Sequence, residues 1–411
     1  MKRFSVLLIG LVTVAAGLWV PMPAFAHGEK AQMAFLRMRS IHWYDIQVSP
    51  TQVSINEEVV VTGKFRPSEF WPSSLPKPEV AYINVGVPGP VFVRLESEVN
   101  GANMVNSTSF ELGATYDFRM VIKARKAGRF HVHPVIHVQH AGPLVGPGIW
   151  VETTGNDADF RHDVTTLTGK TLNLETFGFG AVVSWHIVWF VLGLVWLVYW
   201  LFFKGRLLLP RYRRVGELGD NADSMITRTD RNLAFGMLGT TLVLVAFGYY
   251  WADAKYPNTV PLQTGRIAVA PSPVPAQVVA VQLDRATYRI PGRSLTLNAR
   301  ITNLSDGPLQ IGELATANVR FINDKAVKIE PIDSHDLVAP SGLTVSGGAI
   351  APGETRDIAI KAADSLWETH RLSRLIYDPD SRFAALLFFI DSDGERHAVE
   401  VSGPIIPTFE S

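Results

Sequence analysis

A chain of 411 residues has room for two or three domains, and at 47% hydrophobic and 18% charged it is oilier than an ordinary soluble protein without being uniformly so. Thirty-eight basic residues balance 38 acidic ones, and the missing basic stripe excludes an electrostatic footprint for nucleic acid. With no cysteine, disulfides, thiolate zinc sites, iron–sulfur clusters and cysteine nucleophiles are excluded together, so any metal falls to carboxylates and the 11 histidines.

Residues 1–26 read as a secretory signal. Met1-Lys2-Arg3 is the positive start, Val6 to Val20 the apolar stretch, Pro21-Met22-Pro23 the helix break and Ala24-Phe25-Ala26 the small-x-small cleavage pattern. Cleavage after Ala26 would make His27 the first residue of the mature chain.

Residues 27–175 carry the pattern of an antiparallel β-sandwich. Val53 to Phe65 and Tyr116 to Ala124 alternate, with Phe118, Met120 and Ile122 on one face and Asp117, Arg119 and Lys123 on the other. Turn signals separate such runs at Val87-Pro88-Gly89-Pro90, at Asn100-Gly101 and in the glycine–proline tract from Ala141 to Gly148.

Two uncharged segments follow, Phe177 to Phe203 with 27 residues and Leu233 to Ala252 with 20. Each is long enough for a hydrocarbon core of ~30 Å. The loop between them, residues 204–232, holds seven Lys and Arg against four Asp and Glu, which predicts a cytoplasmic loop with both flanking domains on the outer side. Residues 257–277 read as a proline- and glycine-rich linker, and residues 278–411 as a second sandwich. In the latter, Val278 to Leu283, Tyr288 to Ile290 and Ser294 to Asn303 are predicted strands and Ala363 to Leu375 a helix.

The strongest chemical feature is His131-Val132-His133. Residues i and i+2 of a strand share a face, so both imidazoles project together at metal-ligand separation. A histidine at a chain start adds two nitrogens, its α-amine and ring Nδ1, which close a chelate ring on one cation. His27, His131 and His133 together make an all-nitrogen, tetragonal set that favours copper(II) over calcium or magnesium. Ligand type alone does not separate copper from zinc. The amine must shed a proton, from a reference pKa of ~7.7–8.0, so affinity should fall in acid.

His137 keeps the parity of the pair, but Pro134 intervenes, and His137 and His140 read as supporting or outward-facing residues. His42 reads as a packed histidine, with a second ligand site as the alternative. His186 lies inside the first apolar segment, where an ionisable residue marks either function or a bond between helices. His162, His335, His370 and His397 stand isolated, and no GxxxxGK[ST], HExxH or GxSxG string occurs.

Several longer strings are specific: His27-Gly28-Glu29-Lys30, Phe35-Leu36-Arg37-Met38-Arg39 with His42-Trp43-Tyr44-Asp45, and Pro88-Gly89-Pro90-Val91-Phe92-Val93-Arg94. To these add Gly128-Arg129-Phe130-His131-Val132-His133, Gly142-Pro143-Leu144-Val145-Gly146-Pro147-Gly148, Pro261-Leu262-Gln263 with Gly265, and Tyr377-Asp378-Pro379-Asp380-Ser381-Arg382-Phe383. Through them the chain resembles the B subunits of the copper membrane monooxygenases, the family of particulate methane, ammonia and short-alkane monooxygenases.

The resemblance implies a mainly β protein with membrane helices, namely two cupredoxin-like antiparallel β-sandwich domains joined by two transmembrane helices. It implies assembly with the A and C subunits into a trimer of heterotrimers in a bacterial inner or intracytoplasmic membrane, both soluble domains being periplasmic. It also implies a quinol-type reductant and insertion of one oxygen atom from O2 into a C–H or N–H bond.

Copper ligands carried over are His27, His131 and His133. Some relatives hold a further copper with a histidine matching His42, whose partner position falls on Glu400 where a relative has glutamine. His137 stands where relatives often have asparagine. The strings around His27 and His42 lean toward methane-type relatives, and the resemblance leaves open which polypeptide of the complex carries the oxidising copper. A redox-silent, copper-bound scaffold is the alternative, and a stand-alone secreted copper carrier fits the two apolar segments poorly.

Overall fold

The computed structural model describes residues 32–203, 208–257, 265–290, 293–327 and 337–409. The predicted signal segment, His27, residues 204–207 of the predicted loop and 258–264 of the predicted linker lie outside the described residues. The chain divides into two compact units, one comprising Met1–Phe160 with Thr264–Ser411 and the other Arg161–Gln263.

A six-residue helix that the sequence pattern does not reveal, α1 (Ala34–Arg39), precedes the first strand. Ten strands follow: β1 (Ile41–Ser49), β2 (Gln52–Ser54), β3 (Glu58–Pro67), β4 (Ala81–Gly86), β5 (Phe92–Val99), β6 (Ala102–Asn103), β7 (Tyr116–Ala124), β8 (Gly128–Val138), β9 (Gly142–Val145) and β10 (Ile149–Thr154). One sheet has the order β1-β3-β7-β5-β6 and the other β2-β10-β8-β4, with β9 also paired to β8. Val59, Val61 and Phe65 of β3 and Phe118, Met120 and Ile122 of β7 share a core with Val132 and Ile136 of β8 and Val151 of β10.

The alternation read in β7 therefore points inward as expected. The predicted strand from Val53 to Phe65 instead divides between the two sheets. Asn56 turns the corner at φ 75°, a left-handed conformation that asparagine tolerates better than most residues.

The second unit holds the hairpin β11 (Asp163–Thr165) and β12 (Thr171–Asn173), then α2 (Phe179–Val198), α3 (Leu208–Leu218) and α4 (Arg228–Lys255). The helices α2, with the π turn that continues it, and α4 are long and apolar enough to cross a membrane. Large side chains such as Phe190, Val191, Phe235 and Val243 stand exposed around them, as expected of surfaces meant for lipid or protein. The Thr227 hydroxyl and the Asp230 carboxylate form a reciprocal cap at the start of α4, and Asp230 also accepts from the Tyr199 hydroxyl in the turn that ends α2.

The C-terminal strands are β13 (Val279–Ile290), β14 (Ser294–Asn303), β15 (Gln310–Thr316), β16 (Val319–Ile322), β17 (Val338–Ala339), β18 (Leu343–Val345), β19 (Thr355–Ala363), β20 (Arg382–Ile390) and β21 (Arg396–Phe409), with α5 (Leu366–Thr369) between β19 and β20. Strand β21 pairs antiparallel with β20 over Arg396–Pro404 and parallel with β13 over Ile405–Phe409, so it joins the two layers. Between them lies a core that includes Leu297, Leu314, Phe321, Ile360, Phe383 and Leu387.

Two predicted strands, Val278 to Leu283 and Tyr288 to Ile290, are one strand with a register shift between Leu283 and Arg285. The predicted helix from Ala363 to Leu375 shrinks to α5 and a 3-10 turn over Leu372–Tyr377, because Arg371 adopts φ 57° and ends the α-helical path. The fold is mainly antiparallel as predicted, with parallel pairs at β2–β10, β13–β21 and β16–β17.

Within the first unit the sandwiches interlock. Ala34 and Met38 of α1 sit in the C-terminal core, although they precede the N-terminal strands in sequence. Arg37 donates to the carbonyls of Ala317 (3.3 Å) and His370, and Arg39 pairs with Asp378 (2.9 Å) and Asp380 (2.8 Å). In return, part of the predicted linker lies along the N-terminal sandwich: Ile267 N–H donates to Ser107 O and Ser272 N–H to Thr115 O, both at 2.8 Å. Each sandwich thus carries a strap from the other half of the chain.

Arg39 and Asp378 are each 3% exposed, and an ion pair this buried is costly to break from one side. Arg39→Ala should lower unfolding stability by about 3 kcal/mol, read as a lower urea midpoint in detergent. Hydrogen bonds from the Ser73 hydroxyl, Arg39 and the Ser73 N–H hold Asp380 at about 2, below its ordinary 3.8. A depressed carboxyl stabilises above its unfolded pKa and loses that contribution as pH falls through the folded value. Wild-type midpoints should therefore drop between about pH 4 and pH 2, and Asp380→Asn should flatten that drop.

Candidate metal centre

Strand β8 supplies both the core and the site. Val132, Ile136 and Val138 face inward, so His131, His133 and His137 share the opposite face, and Pro134 leaves that alternation intact. On β10, Trp150 lies opposite His131, and on β4, Gly86 lies opposite His133. Between β9 and β10 the chain breaks away from β8 at Gly146-Pro147-Gly148, and this segment passes close against the two rings.

The imidazoles of His131 and His133 lie with centroids 4.4 Å apart at 77°. Both converge over Gly148. A Cβ built there would lie 2.5 Å from His131 Cε1, 2.6 Å from His131 Nε2 and closer still to His133 Cε1. A Cβ on Gly146 would meet Pro134 Cγ at 2.8 Å and Trp43 at 3.0 Å. Glycine at these two positions is a requirement of close approach rather than of backbone angle.

Each ring has its own support. His133 is 5% exposed, and its Nδ1–H donates to Gly146 O at 3.0 Å, which fixes the ring through that nitrogen. His131 stacks on Trp150 at 4.6 Å and 26°, and the Arg129 guanidinium covers the Trp150 ring at 4.7 Å. Two imidazoles at i and i+2, one fixed through Nδ1 by a carbonyl, are a donor set suited to copper or zinc. The residues present fit a metal, and His27, the predicted third ligand, lies outside the described residues.

His137 is not drawn into the pair. It stands four residues along β8 from His133, ~13 Å away at strand rise, and stacks flat on Tyr82 at 4.8 Å and 8°. Burial pushes its pKa down from the ordinary histidine value.

His42 and Glu400 do meet. His42 Nε2–H donates to Glu400 Oε1 at 3.0 Å, the two side chains being 2% and 3% exposed. The Ser68 hydroxyl also donates to Oε1, and Arg66 Nε–H and Glu69 N–H donate to Oε2, each at 3.2 Å. Burial alone would raise the pKa of Glu400. The electrostatic attraction of His42, with the hydrogen bonds from His42, the Ser68 hydroxyl and the Glu69 N–H, outweighs it and holds the carboxyl at about 2. All four acceptor positions of the carboxylate are filled by protein donors, the arrangement of a clasp between β1 and β21.

His397, isolated in the sequence, acquires neighbours on folding. Its ring comes within 4.8 Å of ligand oxygens of Asp391 and Glu395 at the β20–β21 turn. Asp391 already accepts from His397 Nε2–H at 2.9 Å and from the N–H groups of Asp393 and Glu395, which closes the hairpin. The string Asp391-Ser392-Asp393-Gly394-Glu395 is the turn signal that could have located it. His186, within α2, donates from Nδ1 to Val182 O at 2.7 Å.

The sequence profile of the monooxygenase B-subunit proteins matches residues 28–409. The chain is 45% identical over 404 residues to the particulate methane monooxygenase alpha subunit of Methylococcus capsulatus (strain Bath), covering 98% of this chain and 97% of that one. Among solved structures, the cupredoxin domain of amoB from Nitrosocaldus yellowstonii overlaps 32% of this chain and 98% of its own, with 14% identity and a TM-score of 0.25. Yersinia pseudotuberculosis adhesin InvE overlaps 87% of this chain and 57% of its own, with 7% identity and a TM-score of 0.17. Overlaps that slight bear on nothing further.

Gly148→Ala should push the two imidazoles apart. Its expected result is loss of most of the metal that the purified protein takes up, by elemental analysis, with an unchanged β-sheet circular dichroism spectrum. Unchanged metal uptake would show that the ring positions over Gly148 do not govern binding.

Proposed function

The chain belongs to the family of monooxygenase B subunits, and from that premise we propose that it is the copper-binding subunit of a membrane monooxygenase acting on methane. The reaction is insertion of one oxygen atom from O2 into a C–H bond. Support for methane comes from the 45% identity to a particulate methane monooxygenase subunit, with ammonia and short alkanes as the substrates to be compared. The observation that carries the copper reading is the convergence of His131 and His133 over Gly148, with His133 Nδ1 committed to Gly146 O.

In this reading His27, His131 and His133 hold the copper. Bound there, copper would supply one-electron redox chemistry toward O2. The chain's own part is to present the nitrogens. Gly146 C=O fixes the His133 tautomer so that Nε2 faces the site, and the Trp150 face, backed by Arg129, fixes the plane of His131. The α-amine of His27 must be neutral to ligate, so copper loading rises as pH passes its reference range of ~7.7–8.0.

The filled acceptor positions of Glu400 favour a structural clasp at His42 over a second copper. His137, stacked on Tyr82, is likewise left out of the ligand set.

The helices α2 and α4 would cross a bacterial inner or intracytoplasmic membrane. Seven Lys and Arg between the two apolar segments favour a cytoplasmic loop and periplasmic flanking domains. Family membership supports assembly with the A and C subunits as a trimer of heterotrimers, fed by a quinol-type reductant.

His27→Ala, His131→Ala and His133→Ala, each tested in the assembled complex, should lose copper from this chain, and methane turnover on membranes should fall with it. Comparing methane, ammonia and butane as substrates tests the choice among them. Full turnover after copper loss would make this chain a scaffold for a reaction elsewhere, and unchanged copper in all three variants would sink the ligand assignment.

A further inference from the structure

Strand β9 leads directly into the loop that cradles the two imidazoles. Its pairing with β8 matches Leu144 to Ile136 and Val138 to Gly142, so Pro143 C=O and both backbone groups of Val145 point away from β8. Among the described residues no strand covers that edge. Two side-chain amides cover it instead.

Gln32 takes the place of a neighbouring strand: its Nε2–H donates to Pro143 O and its Oε1 accepts from Val145 N–H at 3.0 Å. Asn318 Nδ2–H donates to Val145 O at 2.9 Å. All three edge groups are thereby satisfied by residues that come from far along the chain.

Both amides are anchored on the C-terminal sandwich. Gln32 is two residues before α1, whose Ala34 and Met38 lie in the C-terminal core. Asn318 belongs to the turn between β15 and β16, where Thr316 pairs with Val319. Its two central residues, Ala317 (φ 49°) and Asn318 (φ 69°), are both left-handed, an unfavourable choice for alanine that surrounding contacts must hold. One such contact is the Arg37 guanidinium on Ala317 O at 3.3 Å. Beyond Val145 the next residue is Gly146, whose N–H donates to Pro134 O at 2.8 Å and whose C=O accepts from His133.

We propose that Gln32 and Asn318 are positioning residues for the His131–His133 centre, forming a two-amide clamp by which the C-terminal sandwich sets the Gly146–Gly148 loop and, through Gly146 C=O, the ring of His133. The proposal rests on the reading that this pair holds copper. It assigns the C-terminal sandwich a part in a metal site to which it gives no ligand.

The test uses Asn318→Asp and Gln32→Glu in the assembled complex. Each keeps the size of the side chain and removes one donor, and aspartate tolerates positive φ nearly as asparagine does, so the turn is retained. Hydrogen exchange over residues 142–148 is measured after copper depletion. Copper(II) paramagnetic resonance spectra and copper retention against a competing chelator are measured after reloading.

Both variants should exchange faster over 142–148, show changed copper hyperfine splitting, and hold copper ~10-fold more weakly, the low end for loss of a group that supports a ligand. The double variant should lose less than the product of the two single effects, because both amides grip one strand. Unchanged exchange together with an unchanged spectrum overturns the clamp while leaving the copper site standing. If wild-type protein shows no imidazole-bound copper, the site reading fails, and the exchange measurement, which needs no metal, still decides whether the amides set the loop.

Discussion

The alternation of β8 is the constraint on which the site depends. A strand cannot present His131 and His133 to one face without sending Val132 to the other, and Val132 is fully buried in the N-terminal core. A one-residue slip would place both imidazoles in that core and Val132 outside. The apolar packing that folds the sandwich therefore also fixes which way the histidine face points. What it does not fix is the convergence of the rings, and that is permitted by the interruption at Gly146-Pro147-Gly148, where glycine lets the neighbouring segment approach them closely.

The second dependency is between the sandwiches. Buried Arg39 with Asp378, and Glu400 with His42, Arg66 and Ser68, join segments more than 300 residues apart. Such groups gain little net stability over an apolar substitute, because desolvation offsets most of the attraction, yet a misplaced partner leaves a buried charge uncompensated. Such pairs therefore tie the two sandwiches together by position more than by net stability. The cleft between them, about 280 Å³ and lined by Trp43, Gly148 and Asn318 among others, lies where the cradle loop meets the β15–β16 turn.

Much of this is legible in the sequence, for physical reasons that differ by element. The period-2 pattern of β7 and the histidine pair on β8 are local signals, and both survive folding. The apolar runs that become α2 and α4 are long enough to need no context. Helix α1 is invisible because it is only six residues long, with its apolar side chains Ala34 and Met38 packed against a core encoded some 250 residues later. The strand predicted from Val53 onward looks continuous because its alternation runs through Asn56, whose left-handed turn is a matter of one φ angle. The contact of His42 with Glu400 comes only from family resemblance, and nothing local predicts the donors that fill the carboxylate. The amide caps on β9 leave no trace, since Gln32 and Asn318 are ordinary polar residues until folding brings them to one strand edge.

Which nitrogens would hold copper in the proposed centre is the deciding question. Pulsed paramagnetic resonance on the copper-loaded complex, with 15N-labelled histidine, counts the imidazoles coupled to this chain's copper. Coupling from His27, His131 and His133 is expected in the wild type, with one imidazole lost in His131→Ala and a different one in His133→Ala. A coupling pattern identical in the wild type and both variants would contradict the proposed centre.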